Sequence, residues 1–215
     1  MISAADPRPS DGLELWLLRH GATEWSRNGR HTGRSDLPLL AEGEAEARAL
    51  AALLQGVAFT AVATSPLQRA RRTCELAGLG ESAQIWDDLR EWDYGAYEGI
   101  TTAEIRCSQS DWTIWSHGCP AGEDGAAVQI RCERVISRAL ALVNQPCGGS
   151  PVASSAAPCR IALFAHGHLL RSLAATWLGL GARGGALFVL GTGGFSVLGH
   201  ERDQRAVLHW NVTIP

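Results

Sequence analysis

The sequence predicts an α/β fold: a three-layer α/β/α sandwich around a mostly parallel central sheet with an antiparallel edge strand. Three observations predict it. Short apolar runs alternate with stretches of helical periodicity along most of the chain. Two of those runs, Leu13 to Arg19 and Ile161 to Ala165, are apolar enough to be buried strands. Each is followed at once by a histidine and a glycine, His20-Gly21 and His166-Gly167, so polar chemistry collects at strand carboxyl ends, where open α/β sheets bind their ligands.

The elements follow in order. Leu13 to Arg19 is the first strand. Glu42 to Leu54 carries alanine, leucine and glutamate at helical spacing and ends in Gln55-Gly56, a C-cap signal. Ala61 to Thr64 is a short strand. Ser65-Pro66 then opens a helix over Leu67 to Leu76, with serine as N-cap and proline at the first helical position. Ile85 to Leu89 reads as a third short strand. Tyr94 to Ala121, aromatic and glycine-containing with little periodicity, is a helix-containing excursion across the carboxyl edge of the sheet. Ala126 to Val143 is an amphipathic helix ending before Pro146. The Gly-, Ser-, Pro- and Ala-rich stretch 146–158 is expected to be a mobile loop. After the strand Ile161 to Ala165, Leu169 to Leu178 is a helix. Ala186 to Leu190, Gly194 to His200 and Ala206 to Val212 close the chain as strands, the last two as an edge hairpin.

At 215 residues this is one domain over residues 12–215, with a flexible N-terminus over 1–11. Met1 to Asp11 has no basic start and no apolar core, so a cytoplasmic chain without a membrane anchor is expected. The net charge of −3 and the lack of a basic run argue against a nucleic acid or an anionic membrane as partner. All 19 basic side chains are arginine, which excludes lysine Schiff-base and phosphate-loop chemistry. The six cysteines show no zinc spacing, so no metal and no cofactor is expected. In a reducing compartment they are expected to be thiols, with Cys147 and Cys159 the one pair able to approach. No G-x-S-x-G elbow occurs. The edge strand Ala206 to Val212 leaves a homo-oligomer open.

The first strand delivers Arg19 beside His20: a guanidinium fork suits phosphate oxygens, and a neutral imidazole can attack phosphorus. His166 arrives on a second strand and is expected to converge with it. Between them, the Ser65-Pro66 helix carries Arg69 near the positive end of its dipole, another element facing an anion.

These residues stand in four segments: Leu18-Arg19-His20-Gly21-Ala22-Thr23-Glu24-Trp25, Ser65-Pro66-Leu67-Gln68-Arg69-Ala70, Leu89-Arg90-Glu91-Trp92-Asp93-Tyr94-Gly95 and Ala165-His166-Gly167-His168. In this order they resemble the four signatures of the histidine phosphatase superfamily, the phosphoglycerate mutase-like proteins. Thr32 to Leu39, Glu91 to Gly99, Trp112 to Trp115 and Phe164 to Arg171 further resemble the branch of sedoheptulose bisphosphatases and bacterial acid phosphatases.

The resemblance implies the superfamily fold and a metal-independent phosphomonoesterase acting on small phosphorylated metabolites, such as sugar bisphosphates. His20 would be the nucleophile. Arg19, Arg69 and His166, the last as a protonated third donor, would hold the phosphoryl oxygens, and Glu91 would be general acid and then base. Thr32 and Gly33 match positions where a hydroxyl and a backbone amide touch the substrate, and Ser26 stands where many members carry asparagine. Ser65 and Gly167, within the matched signatures, would touch the substrate, His168 and Arg171 would reach a distal phosphate or hydroxyl, and Tyr94 would line a sugar pocket. An acidic pH optimum follows from protonated Glu91 and His166. Two other readings are a phosphoglycerate mutase, disfavoured because Trp92 and Asp93 rather than arginine follow Glu91, and a non-catalytic phosphate-binding protein, disfavoured because no signature residue is lost.

Overall fold

The computed structural model describes residues 12–143 and 158–213. Residues 1–11, expected from sequence to be flexible, Cys147 and all of the 146–158 loop except Pro158 lie outside the described residues. Cys159 Sγ meets Thr60 Oγ1 at 3.2 Å.

The strands are β1 (Leu13–Arg19), β2 (Ala61–Thr64), β3 (Ala83–Ile85), β4 (Cys159–Ala165), β5 (Phe195–Glu201) and β6 (Gln204–Val212). They form one sheet in the order β3-β2-β4-β1-β5-β6. The first four are mutually parallel; β5 pairs antiparallel to β1, and β6 antiparallel to β5. The helices are α1 (Glu24–Asn28), α2 (Ala41–Leu54), α3 (Gln68–Leu76), α4 (Thr102–Arg106), α5 (Ile114–His117), α6 (Gly125–Val143) and α7 (Gly167–Trp177).

Alternation along β1 explains the layers. Leu15 and Leu17 join one core with α6 and α7 residues such as Val128, Val135, Leu170 and Leu173. Trp16 and Leu18 join another with Leu50 and Leu54 of α2 and Cys74 of α3. Both faces are therefore covered, and apolar burial drives the three-layer arrangement. The register decides the site: Arg19 stands opposite Ala165, so the next residue on each strand, His20 and His166, emerge side by side.

Four local expectations need correction. The third strand is Ala83–Ile85, and Asp87–Leu89 turns as a 3-10 helix that tucks Leu89 and the neighbouring Trp86 into the core. No strand forms over Ala186 to Leu190: Ala186 and Leu187 end a 3-10 helix, Ala182–Leu187, and the next three residues have no regular structure. There Arg171 Nε takes the Gly185 carbonyl at 3.1 Å, and a Cβ on Gly185 would lie 2.5 Å from the Trp115 ring. Packing against α7 and Trp115 outweighs the β propensity of Leu187 and Val189, whose side chains are exposed. Helix α3 starts at Gln68 with Leu67 as N-cap, and its first free amide is capped by Asp36 Oδ1 at 2.7 Å. Ser65 Oγ accepts from Leu67 N at 3.3 Å, ahead of the helix, and meets His166 Nε2 at 2.8 Å. Helix α1, not anticipated, is held by a capping box between Thr23 and Ser26.

Candidate active site

At the carboxyl ends of β1 and β4 lies a cavity of ≈ 260 Å³, lined by Arg19, His20, Ser26, Arg30, His31, Thr32, Glu91, Tyr94, Thr102, Gly167, His168 and Arg171, among others.

His20 is buried, and its Nδ1 lies 2.8 Å from the Gly21 carbonyl. A carbonyl only accepts, so Nδ1 carries the proton and Nε2 keeps its lone pair. Burial above all, then the charges of Arg69 and Arg19, holds the His20 pKa well below 6.5, which keeps the ring neutral and nucleophilic.

Arg19 donates from one terminal nitrogen to the Leu190 carbonyl, while its buried Nε has no hydrogen-bond partner. A buried guanidinium N–H without an acceptor is costly, so this atom is a natural receptor for an anion oxygen. Gly167 makes room for it: a Cβ there would lie 3.2 Å from Arg19 Cζ.

His166 is fully buried, its ring 5.2 Å from that of His20. Its Nδ1 accepts from Arg69 Nε at 3.1 Å, and its Nε2 lies 2.8 Å from Ser65 Oγ. Arg69 Nε can only donate, so this imidazole is neutral with its proton on Nε2. Burial, Arg69 and His20 push its pKa well below 6.5. The protonated His166 expected from sequence is therefore not the state of the free site.

Arg69 also departs from expectation. It is fully buried, and besides His166 it binds three carbonyls: Ser35 at 2.7 Å, Thr32 at 3.0 Å and Gly33 at 3.0 Å. Arg69, Ser65 and His166 are not among the residues that line the cavity. Gly33 is not free either, because its amide donates to both Glu98 carboxylate oxygens, at 2.9 and 3.1 Å. Ser26 lines the cavity but its hydroxyl is committed to Thr23 in the α1 capping box.

Glu91 is buried at the N-terminus of α7. Its Oε1 accepts from Trp92 N at 3.0 Å and Leu169 N at 2.8 Å, and its Oε2 from His168 N at 3.0 Å. Those amides and the helix dipole favour the carboxylate; burial opposes them and prevails, raising the pKa above 4.5. A carboxyl that holds its proton to higher pH suits a general acid.

The far wall is aromatic. Tyr94 Oη lies 2.6 Å from His168 Nδ1, and His31 stacks on Tyr94 with centroids 4.7 Å apart. Burial raises the Tyr94 pKa well above 10.0 and pushes that of His168 well below 6.5, so a neutral phenol faces a neutral imidazole. Arg171 lies over the Trp115 ring at 4.6 Å. Sequence reasoning missed Arg30, His31 and Thr102 as cavity residues. The Arg30-His31 pair just before Thr32 was the signal on offer.

The sequence profile of the histidine phosphatase superfamily (branch 1) matches residues 15–213. The chain belongs to this superfamily. Among its relatives, this histidine phosphatase is 37% identical over 194 residues to an acid phosphatase of Mycobacterium tuberculosis, covering 89% of this chain and 88% of that one. It is 37% identical over 190 residues to the sedoheptulose 1,7-bisphosphatase of Saccharomyces cerevisiae, covering 78% and 68%. The solved structure of an open reading frame product of Mycobacterium tuberculosis superposes with a TM-score of 0.83 at 35% identity, over 93% of this chain and 97% of that one. Phosphatase-named relatives thus accompany the superfamily fold. Among the described residues no helix is long and apolar enough to cross a membrane, and no group of three or more His, Cys, Asp or Glu side chains could hold a metal ion.

Proposed function

We propose that this histidine phosphatase hydrolyses phosphomonoesters of small metabolites through a phosphohistidine on His20, without a metal. The observation that carries the reading is the pairing of a neutral His20, protonated on Nδ1 by contact with the Gly21 carbonyl, with an adjacent unpartnered Arg19 Nε. In this mechanism His20 Nε2 attacks phosphorus in line, the ester P–O bond breaks, and Glu91 gives its proton to the departing alkoxide. The Glu91 carboxylate then takes a proton from water, whose oxygen attacks the phosphohistidine and releases phosphate. His20 is left neutral and Glu91 protonated, as at the start. Arg69 and Ser65 act in the first instance by fixing His166 beside the nucleophile.

The cavity also supports a substrate class. Three arginines (19, 30 and 171) line it, against one carboxylate, Glu91. Arg19 answers to the reacting phosphate, and Arg171 and Arg30 suit a second anionic group on the same molecule, as in a sugar bisphosphate such as sedoheptulose 1,7-bisphosphate. The test is a steady-state assay in EDTA on sedoheptulose 1,7-bisphosphate, fructose 1,6-bisphosphate, 3-phosphoglycerate and an aryl phosphate, with His20→Ala beside the wild type. The bisphosphates are expected to lead in kcat/KM, with no phosphate released by the variant. Interconversion of phosphoglycerates without phosphate release would favour the mutase reading, and an equal ranking of all esters would overturn the second-anion preference.

A further inference from the structure

Helix α2 carries a carboxylate that the phosphohistidine reading does not use. Glu46 Oε2 accepts from Ala22 N at 2.8 Å, and its Oε1 accepts from Thr192 Oγ1 at 3.1 Å. The Ala22 N–H belongs to the same peptide group as the Gly21 carbonyl that receives the Nδ1 proton of His20 at 2.8 Å. One amide therefore has the nucleophilic imidazole on its oxygen and a carboxylate on its nitrogen.

We infer that Glu46 is a positioning residue for His20, its negative charge reaching the imidazole through the Gly21–Ala22 peptide.

The placement is built into the backbone. A Cβ on Gly21 would lie 2.1 Å from the Gly43 carbonyl oxygen, and one on Gly43 would lie 2.2 Å from the Ala22 carbonyl oxygen, so α2 meets the loop main chain to main chain. Glu46, one turn after Gly43, is thereby brought onto the Ala22 amide. The preceding peptide is fixed as well: Gly21 N donates to Thr73 Oγ1 at 3.1 Å, and the His20 carbonyl accepts from Gly193 N at 3.2 Å.

Electrostatics supplies a reason for the arrangement. Around His20 stand Arg69 and Arg19, whose charges act on it, His166 with its ring 5.2 Å away, Glu91 in the same cavity and Glu46 behind the Gly21–Ala22 peptide, whose charge also bears on Arg19. Arg19 suits an incoming phosphate, but its charge and that of Arg69 oppose the positive charge that the imidazole acquires once Nε2 is bonded to phosphorus. A carboxylate on the amide's nitrogen polarises the peptide, strengthens the Gly21 oxygen as an acceptor and stabilises that charge from the Nδ1 side. Glu46 thus offsets, away from the substrate, what the arginines cost the nucleophile.

This role rests on the phosphohistidine reading, and the experiment separates the two. Glu46→Gln keeps an oxygen for the Ala22 amide and removes the charge; Glu46→Asp keeps the charge; Thr192→Val removes the other contact. Each is compared with wild type for kcat, KM, the pH dependence of kcat/KM and phosphohistidine formation in a single turnover. For Glu46→Gln, kcat is expected to fall about tenfold, the low end of the losses seen when the outer partner of a metal-bound histidine is removed. KM should hold, phosphorylation should slow, and the acid limb of kcat/KM should move to lower pH. Glu46→Asp and Thr192→Val should keep the wild-type limb. An unmoved limb in Glu46→Gln, equal shifts in the Gln and Asp variants, or a loss confined to KM overturns the role. Should Glu46→Gln not fold, Glu46→Ala decides: an acid limb moved to lower pH at unchanged KM supports the role, and a wild-type limb overturns it. A wild type that turns over substrate with no phosphohistidine refutes the mechanism beneath it instead.

Discussion

Replacing Glu91 by glutamine separates its two jobs, holding the start of α7 and giving a proton. The glutamine carbonyl can keep the two amides that Oε1 now accepts, Trp92 N at 3.0 Å and Leu169 N at 2.8 Å. Its NH2 group then replaces Oε2 opposite His168 N, now 3.0 Å away, and a donor faces a donor. Leaving that amide unsatisfied costs about 1–3 kcal/mol, and in a domain of this size each kcal/mol lowers Tm by about 2–4 °C. The larger effect is on chemistry: losing a general acid costs about 10² to 10⁴ in rate when the leaving alkoxide needs a proton. An aryl phosphate, whose leaving group departs without one, should lose far less in its phosphorylation step. The pH profile adds a sign. Activity requires protonated Glu91, so kcat/KM falls as pH rises through a Glu91 pKa raised above 4.5 by burial. It requires neutral His20, so the acid limb lies below 6.5. The optimum is therefore acidic, set by Glu91 and His20 rather than by a charged His166. The assay is kcat/KM against pH for wild type and Glu91→Gln on a sugar phosphate and an aryl phosphate. Equal losses on both substrates, or an alkaline limb surviving in the variant, would refute the assignment.

Three further outcomes follow from the same geometry. Arg69→Ala strips three loop carbonyls and His166 of their shared donor, and leaving such buried acceptors unsatisfied should cost at least about 1–3 kcal/mol; denaturant unfolding measures it, and a loss below about 1 kcal/mol would contradict the buried network. Burial keeps the pKa values of His20, His166 and His168 well below 6.5, so the stability tied to their neutral forms is complete above pH 6.5 and declines as pH falls below it. A urea midpoint that rises on acidification from pH 6.5, and keeps rising in Glu91→Gln, where the opposing carboxyl is gone, would contradict that sign. Arg171→Ala should raise KM for a bisphosphate about tenfold, as expected for one lost charge-assisted contact, and leave an aryl phosphate unchanged; parallel increases on both would remove Arg171 from the distal contact.

The sheet was legible because its strands are simple: Leu13 to Arg19 and Ile161 to Ala165 are continuous apolar runs ended by histidine. The same feature placed Arg19, His20 and His166 at strand ends, whereas Glu91 was singled out only by the resemblance of its segment to the third signature. What the sequence concealed was how donors are shared. Nothing local in Ser65-Pro66-Leu67-Gln68-Arg69 says that Ser65 turns to His166, that Asp36 caps the helix in its place, or that Arg69 spends its donors on Ser35, Thr32 and Gly33. Those are long-range choices, made by which carbonyls the folded loop leaves unpaired. The expected strand after Ala186 failed for a related reason: Gly185 is fixed by Trp115 and Arg171, partners far away in the chain. Glu46 stood in an ordinary alanine-rich helix, and only the contact of Gly43 with the Gly21 loop reveals what it reaches.

The central claim is that a covalent phosphoryl group passes through His20. Mixing enzyme with substrate in EDTA, quenching in alkali within a single turnover, and locating the modification by peptide mass spectrometry tests it directly. The account predicts one base-stable, acid-labile phosphoryl group on the peptide containing His20, formed before phosphate appears and absent in His20→Ala. Turnover with no such adduct, or with the phosphoryl group on another residue, would contradict it.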